Sequence, residues 1–145
     1  MKRIVVGVDG SAGSMAALAW AGEEAAVHDA TLVCVAAWEP PVVYGSGFAP
    51  VPSLPPDGAY EDAARSQLDG AVDRVLGSRD RPVVERLVVE GPPGEVLLTA
   101  ASDADLLVVG SRGHGSIVGM LLGSVSQHVA HHAKCPVVII PNPER

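Results

Sequence analysis

The stretch Leu106-Leu-Val-Val-Gly110-Ser-Arg-Gly113-His-Gly115-Ser-Ile-Val-Gly119-Met-Leu-Leu-Gly123-Ser-Val-Ser126 continues through a helical segment into Val137-Val-Ile-Ile140. An apolar run opens into glycines and hydroxyls, a helical stretch follows, and a second apolar run closes the unit. Short, continuous apolar runs are typical of strands that are buried on both faces of a parallel sheet. The stretch therefore predicts a strand–loop–helix–strand unit of an α/β fold.

The rest of the chain alternates apolar runs and helical segments in the same way. Strands are predicted at 4–8, 32–37, 83–89, 106–109 and 137–140, and helices at 15–28, 60–76, 93–102 and 124–133. This alternation indicates an open five-stranded parallel sheet with right-handed crossovers. The charges of Glu85 and Arg86 favour a sheet edge for the third strand. The chain is therefore expected to be one α/β domain over 1–145.

Composition limits the possible functions. The chain has 145 residues, 48% of them hydrophobic, with one Phe, two Tyr and two Trp, so its core must be built from aliphatic side chains. The formal net charge of −7 argues against nucleic acid and anionic membrane surfaces as partners. No apolar run reaches the length of a membrane span, and Met1 leads directly into a strand without a signal peptide. A cytoplasmic location is expected, with Cys34 and Cys135 as core thiols.

Segment 39–58 interrupts the alternating pattern. Six prolines lie between Glu39 and Pro56, with Gly45 and Gly47 among them, which indicates a long loop. Loops of this length in compact domains serve as lids, contact surfaces or mobile segments. The sequence leaves open which of these roles applies.

The loop after the fourth predicted strand has the composition of an anion site. Glycine lets backbone N–H groups approach a ligand, and a helix N-terminus favours negative charge. The chain has no Gly-Lys pair for a P-loop, no Gly-x-Gly-x-x-Gly and no Gly-x-Ser-x-Gly. What remains is Gly110-x2-Gly113-x9-Gly123-Ser124, which predicts a phosphate-binding loop.

This pattern resembles the ATP-binding branch of the universal stress protein family. The resemblance includes the opening strand with Asp9, the Gly-Ser-Arg-Gly-His-Gly turn at 110–115, the Leu-Leu-Gly-Ser-Val-Ser segment at 121–126 and the closing Cys-Pro-Val-Val-Ile-Ile run at 135–140. It covers nearly the whole chain apart from the variable segment 39–58. It implies a Rossmann-like sheet of order 3-2-1-4-5 with helices on both faces, in which the first and fourth strands are neighbours.

Carried over by position, the resemblance implies an adenine-nucleotide site at the carboxyl ends of these strands. On the nucleoside side it places Gly7, Val8, Asp9, the backbone of Val35 against the adenine, and Gly110 under the ribose. Around the phosphates it places Gly113, Gly115, Ser116, Gly123, Ser124, Val125 and Ser126. Arg112 and His114 lie in the same loop and are included as candidate contacts.

These residues also have structural explanations. The glycines can serve tight turns and close helix–strand packing, and Gly119 is assigned to that role. Asp9 can cap the following turn, which is compatible with ligand contact. Arg112 can contact phosphate or remain solvated, and His114 is expected to be an exposed loop residue.

The expected function is ATP binding by a regulatory, stress-response protein. Mg²⁺ is expected to bridge the phosphates, assisted by Asp9 or a serine hydroxyl, since no dedicated carboxylate cage is evident. The alternative is a slow ATPase or a nucleotidyl- or phosphoryl-transferring enzyme. The loop lacks a lysine and a clear general base, which favours holding a nucleotide over turning it over. No catalytic residue is therefore assigned, and a flavin carrier is disfavoured because few aromatic side chains could flank the ring.

Three histidines in the last predicted helix carry a second possible chemistry. His128, His131 and His132 stand at i, i+3 and i+4, a spacing that can bind zinc. The Glu of His-Glu-x-x-His is missing and no third ligand is evident, so no metal site is assigned. Histidines near a helix C-terminus also complement the helix dipole, which is the preferred explanation.

The last predicted strand, 137–140, lies between two prolines and carries no charge. In the expected strand order it forms a sheet edge, and an uncharged apolar edge tends to recruit a partner. We therefore expect a homodimer built through this strand. Burial under a local loop is the alternative.

Overall fold

The computed structural model describes residues 1–40, 43–44, 50–51, 58–114 and 121–143. Helices and strands alternate along them. In chain order they are β1 Arg3–Gly7, α1 Ala12–His28, β2 Thr31–Trp38, β3 Val43–Tyr44, β4 Pro50–Val51, α2 Ala59–Leu76, β5 Val84–Glu90, α3 Pro93–Ala100, β6 Leu106–Gly110, α4 Ser124–His132 and β7 Val137–Ile140.

The main sheet has five parallel strands in the order β5-β2-β1-β6-β7. Without the two-residue strands β3 and β4, this is the predicted order 3-2-1-4-5, and the predicted fold class is confirmed. β1 and β6 are neighbours at the centre, and β5 lies at an edge as its charges indicated. Ligands of open α/β sheets bind beyond the carboxyl ends of strands where the order reverses, which here is the end of β1 and β6.

The two faces of the sheet are covered by different helices. Ile4, Leu32 and Val108 face one way and pack with α1 and α2, whereas Val5, Val33 and Leu107 face the other way and pack with α3 and α4. This period of two is the pleat of a strand buried on both sides. Burying each Val or Leu side chain stabilises the fold by about 1.5–3 kcal/mol, which explains how a chain with so few aromatics forms a core. No helix in the described ranges is long and apolar enough to cross a bilayer.

The two cysteines lie on opposite faces of this sheet. Cys34 belongs to the core under α1 and α2, and Cys135 packs against the core under α3 and α4. Both are free thiols, as expected. Burial raises the pKa of the Cys34 thiol to about 12, although the charge of Arg86 acts to lower it. Cys34 is therefore an uncharged core side chain at neutral pH.

The proline-rich segment contains a small antiparallel ladder in which Val43 pairs with Val51 and Tyr44 with Pro50. The other residues between 41 and 57 lie outside the described part of the chain. Which of the three roles segment 39–58 serves therefore stays open.

The first turn of α1 approaches the end of β6 backbone to backbone. A Cβ added to Gly110 would lie 2.7 Å from the carbonyl carbon of Gly13, and a Cβ added to Gly13 would lie 2.6 Å from the carbonyl oxygen of Arg112. Any side chain at either position must displace main chain, which cannot move aside as a flexible side chain can. The lack of a side chain at these two glycines allows the β1–α1 turn to pack directly against the β6 loop.

We expect Gly13→Ala to lower the free energy of unfolding by about 1–3 kcal/mol, the usual cost of overpacking. The matched control is Gly70→Ala in α2, where an added Cβ meets no atom of the described part of the chain within 4 Å. That control should raise stability by about 0.5–1 kcal/mol, because Gly in a helix interior is less favourable than Ala. Urea unfolding of both variants measures the difference. Equal stabilisation by the two substitutions would contradict the close approach.

Candidate functional site

The loops that follow β1 and β6 meet through the carboxylate of Asp9. Its Oδ2 accepts a hydrogen bond from the backbone N–H of His114 at 3.4 Å. A Cβ added to Gly113 would collide with the same oxygen, so any side chain there would displace the Asp9 carboxylate. The predicted juxtaposition of the two strand ends is therefore observed, and Asp9 spans the crevice between them.

The other oxygen of the Asp9 carboxylate is held by its own turn. Ser11 donates to Oδ1 through its N–H, at 2.9 Å, and through its hydroxyl. The N–H of Asp9 donates to the Ser14 hydroxyl at 3.2 Å, and the Gln67 side chain donates to the Asp9 carbonyl at 3.2 Å. Burial acts to raise the pKa of Asp9, but the hydrogen bonds from Ser11, Ser14 and His114 outweigh it and lower that pKa. Asp9 is accordingly an anion at neutral pH.

The start of α4 is tied back to the β6 loop by the carbonyl of Ser111. This carbonyl accepts the Gly123 N–H at 2.7 Å and the Ser126 hydroxyl at 2.8 Å. The Ser126 hydroxyl is buried and also lies 3.0 Å from the Gly123 carbonyl, so it is committed to the backbone. Ser126 thus fixes the loop, and of its polar groups only the backbone N–H faces the open end of the helix.

No side chain of a described residue caps the N-terminus of α4. Its N-cap residue, Gly123, has no side chain to cap the first turn, and the first intrahelical bond runs from Gln127 N–H to the Gly123 carbonyl. Within the described part of the chain, no hydrogen bond is donated by the N–H groups of Ser124, Val125 and Ser126. Such a terminus carries partial positive charge and suits an anion.

The remaining loop residues fall into three groups. Gly110 has a packing role against Gly13, whether or not a ligand lies over it. Arg112 is half-buried and His114 exposed, and neither forms an ion pair with a described residue. Gly115 and Ser116, with Gly119, lie outside the described residues, so their predicted roles remain predictions.

β1 and β2 separate immediately after Val8 and Val35. The Val8 N–H donates to the Val35 carbonyl at 2.9 Å, and Val35 is only 1% exposed. Continuation of the ladder would bond Ala37 N–H to the Val8 carbonyl and Gly10 N–H to the Ala37 carbonyl, but neither bond forms. The backbone groups left open at this fork belong to Val8 and Ala37. The predicted adenine contact at Val35 would have to share a carbonyl that is already bonded.

Several residues that shape the site escaped the sequence analysis. Ser11 and Ser14 hold Asp9 and begin α1, Gly13 allows its close packing, and the Ser111 carbonyl anchors α4. The Asp-Gly-Ser-x-Gly-Ser run at 9–14 does indicate turn and helix-cap chemistry, because short polar residues prefer helix caps, but it does not show that these residues hold Asp9. The role of Ser111 is carried by its backbone and has no sequence signal.

The histidines of α4 form a surface cluster on its last turns. The rings of His128 and His132 lie 4.5 Å apart, and the Nδ1 of His132 lies 2.9 Å from the His128 carbonyl. The side chain of His128 lies against Gly94 and fills the space that a Cβ at that position would need. Within the described residues no group of three or more possible metal ligands comes together. These contacts agree with the structural explanation preferred from the sequence.

Comparisons with known proteins bear directly on this arrangement. A universal stress protein of Thermus aquaticus is 34% identical over 144 residues, covering 96% of this chain and 98% of that protein. A crystal structure of a universal stress protein in complex with cAMP is 33% identical, with a TM-score of 0.62, and 97% of each chain is covered.

A universal stress protein of Mycobacterium tuberculosis is 36% identical over 139 residues, which are 94% of this chain but 44% of that protein. The chain thus spans about half the length of this mycobacterial relative. The model of the universal stress protein family matches residues 1–141. The predicted resemblance is confirmed, and the chain belongs to the universal stress protein family.

Proposed function

We propose that this domain binds ATP with Mg²⁺ and acts as a nucleotide-dependent regulatory protein of the stress response in the cytoplasm. The observation that carries the proposal is the N-terminus of α4, which no side chain of a described residue caps and which follows the loop that Asp9 contacts. The related crystal structure with cAMP supports an adenine nucleotide as the ligand class. The two free thiols fit a reducing compartment.

The phosphates would occupy the open first turn of α4. The N–H groups of Ser124, Val125 and Ser126 supply donors without a charged side chain, and the exposed Ser124 hydroxyl adds one more. Mg²⁺ would be carried mainly by the phosphates, because Ser11 already occupies one oxygen of Asp9. The nucleoside would extend from there toward Gly7, Val8 and the end of β2.

A charge placed at the N-cap tests this arrangement. Gly123 has φ −75° and ψ 172°, which suits an aspartate N-cap. We expect Gly123→Asp to lower ATP affinity at least tenfold, about 1.4 kcal/mol, because its carboxylate occupies the N–H groups and repels phosphate. Isothermal titration calorimetry measures the affinity.

Gly123→Ala is the control, because an added Cβ lies no closer than 3.4 Å to the described residues around it and supplies no charge. It should retain affinity within about threefold, which corresponds to less than 1 kcal/mol. Urea unfolding should show that Gly123→Asp is no less stable than Gly123→Ala. Full ATP binding by Gly123→Asp would count against the helix terminus as the phosphate site.

The rate of ATP hydrolysis distinguishes a regulatory protein from the alternative, a slow ATPase. The two lysines, Lys2 and Lys134, precede β1 and β7, at the amino ends of parallel strands and away from the site. Phosphoryl transfer needs positive charge placed on the transferred group. We expect turnover of ATP with Mg²⁺ below about 1 s⁻¹ in a phosphate-release assay. Faster, saturable hydrolysis that His114→Ala abolishes would favour the enzyme.

We also propose a homodimer formed through β7. The bond from Ser111 N–H to the Ile140 carbonyl shows that the even-numbered residues of β7 face β6. The backbone groups of Val137 and Ile139 therefore face away from the sheet, along an uncharged edge. The opposite edge, β5, carries Glu85 and Arg86 instead.

Val137→Pro should convert the dimer into a monomer, because proline removes an outward N–H without removing a bond to β6. The matched control is Val84→Pro, the first residue of β5, whose N–H also faces away from the sheet. Light scattering after size-exclusion chromatography gives the mass of each variant. A dimeric Val137→Pro, or dissociation by both variants, would speak against β7 as the interface.

A further inference from the structure

The end of β2 carries an aromatic pair that the proposed phosphate site does not use. Trp38, the last residue of β2, lies with its ring 6.4 Å from that of Tyr60 on α2, and the two planes differ by 16°. Both side chains are half-buried, so part of each ring is accessible. The chain has five Phe, Tyr and Trp residues in all, and two of them form this near-parallel pair at the end of β2.

The pair stands beside the fork between β1 and β2. β1 ends at Gly7 opposite Val35, whereas β2 continues for three more residues and remains paired with β5 up to Trp38 and Glu90. Even-numbered residues of β2 bond to β5, as Leu32 and Trp38 show, so the N–H and carbonyl of Ala37 face the side that β1 has left. Among the described residues, neither of these two groups has a partner on β1, and Trp38 is the next residue along β2.

α2 connects this pair to the crevice. Tyr60 and Gln67 are separated by two helical turns and lie on the same face of α2, and Gln67 donates to the Asp9 carbonyl. Neighbouring strands are ~4.8 Å apart, so the end of β2 lies about 10 Å from that of β6, across β1. A nucleotide whose phosphates lie at α4 can therefore place its base at the end of β2.

We propose that Trp38, supported by Tyr60, forms the stacking surface for the purine base of the nucleotide, with the Ala37 backbone facing the edge of the base. This inference rests on the proposed nucleotide binding and adds the residue that recognises the base. Aromatic faces stack on bases, and a backbone N–H and carbonyl complement the hydrogen-bonding edge of a purine. If the pair only fastened α2 to β2, its loss would affect every ligand alike.

Fluorescence provides the direct test, since the chain has two tryptophans. Trp20 lies on α1 and packs against the core, and Trp20→Phe leaves Trp38 as the one indole reporter. Titration of this variant with ATP should quench Trp38 emission through stacking. Inorganic tripolyphosphate should bind, as calorimetry measures, without quenching. ATP binding with unchanged emission would overturn the role of Trp38 while leaving the proposed function intact.

The affinities of Trp38 variants for ATP and tripolyphosphate provide a second test. Trp38→Leu should weaken ATP binding about tenfold and leave tripolyphosphate binding unchanged, whereas Trp38→Phe should keep most of the ATP affinity. Equal losses for both ligands would mean that Trp38 only supports the fold, and unchanged ATP affinity would mean that it makes no contact; either result overturns the inference. Absence of ATP binding by the unmodified protein would instead overturn the proposed function, and this inference with it.

Discussion

The close approach of α1 to β6 is the constraint on which the site depends. Because Gly13 and Gly110 lack side chains, the β1–α1 turn lies directly against the β6 loop. That contact brings Asp9 within reach of the His114 N–H, and the carboxylate then joins the two halves of the crevice. A packing requirement at two glycines thus sets the position of the charged group at the centre of the site.

Much of this architecture could be predicted from the sequence because its signals are local. Continuous apolar runs mark strands with two buried faces, and helix starts carry their caps, so the elements, their order and the edge position of β5 followed from pattern and family resemblance together. The helix α1 begins at Ala12, three residues before the predicted start at Met15, because Ser11 is its N-cap. The ladder of β3 and β4 was missed, because proline and glycine dominate its surroundings.

The finer roles within the site could not be predicted, because they depend on which partner each polar group finds. Ser126 was expected to offer its hydroxyl to phosphate, yet that hydroxyl is bound by the Ser111 carbonyl. Val35 was expected to offer its backbone to a base, and its carbonyl already accepts the Val8 N–H, so that contact stays a prediction. Sequence can locate donors and acceptors along a chain, but three-dimensional pairing decides which of them remain available.

The backbone of Ser111 links the sheet edge to the start of α4. Its N–H donates to the last residue of the outer strand, Ile140, while its carbonyl anchors both Gly123 and Ser126 at the start of α4. The N–H and the carbonyl belong to two different peptide planes that meet at the Cα of Ser111, so this one residue connects two surfaces. A displacement at the helix start must therefore stretch one of these hydrogen bonds, change the φ and ψ angles of Ser111, or shift the rim of the sheet. If the helix start and the rim each bind a partner, any resulting energetic coupling is reciprocal: each partner changes the affinity for the other by the same factor.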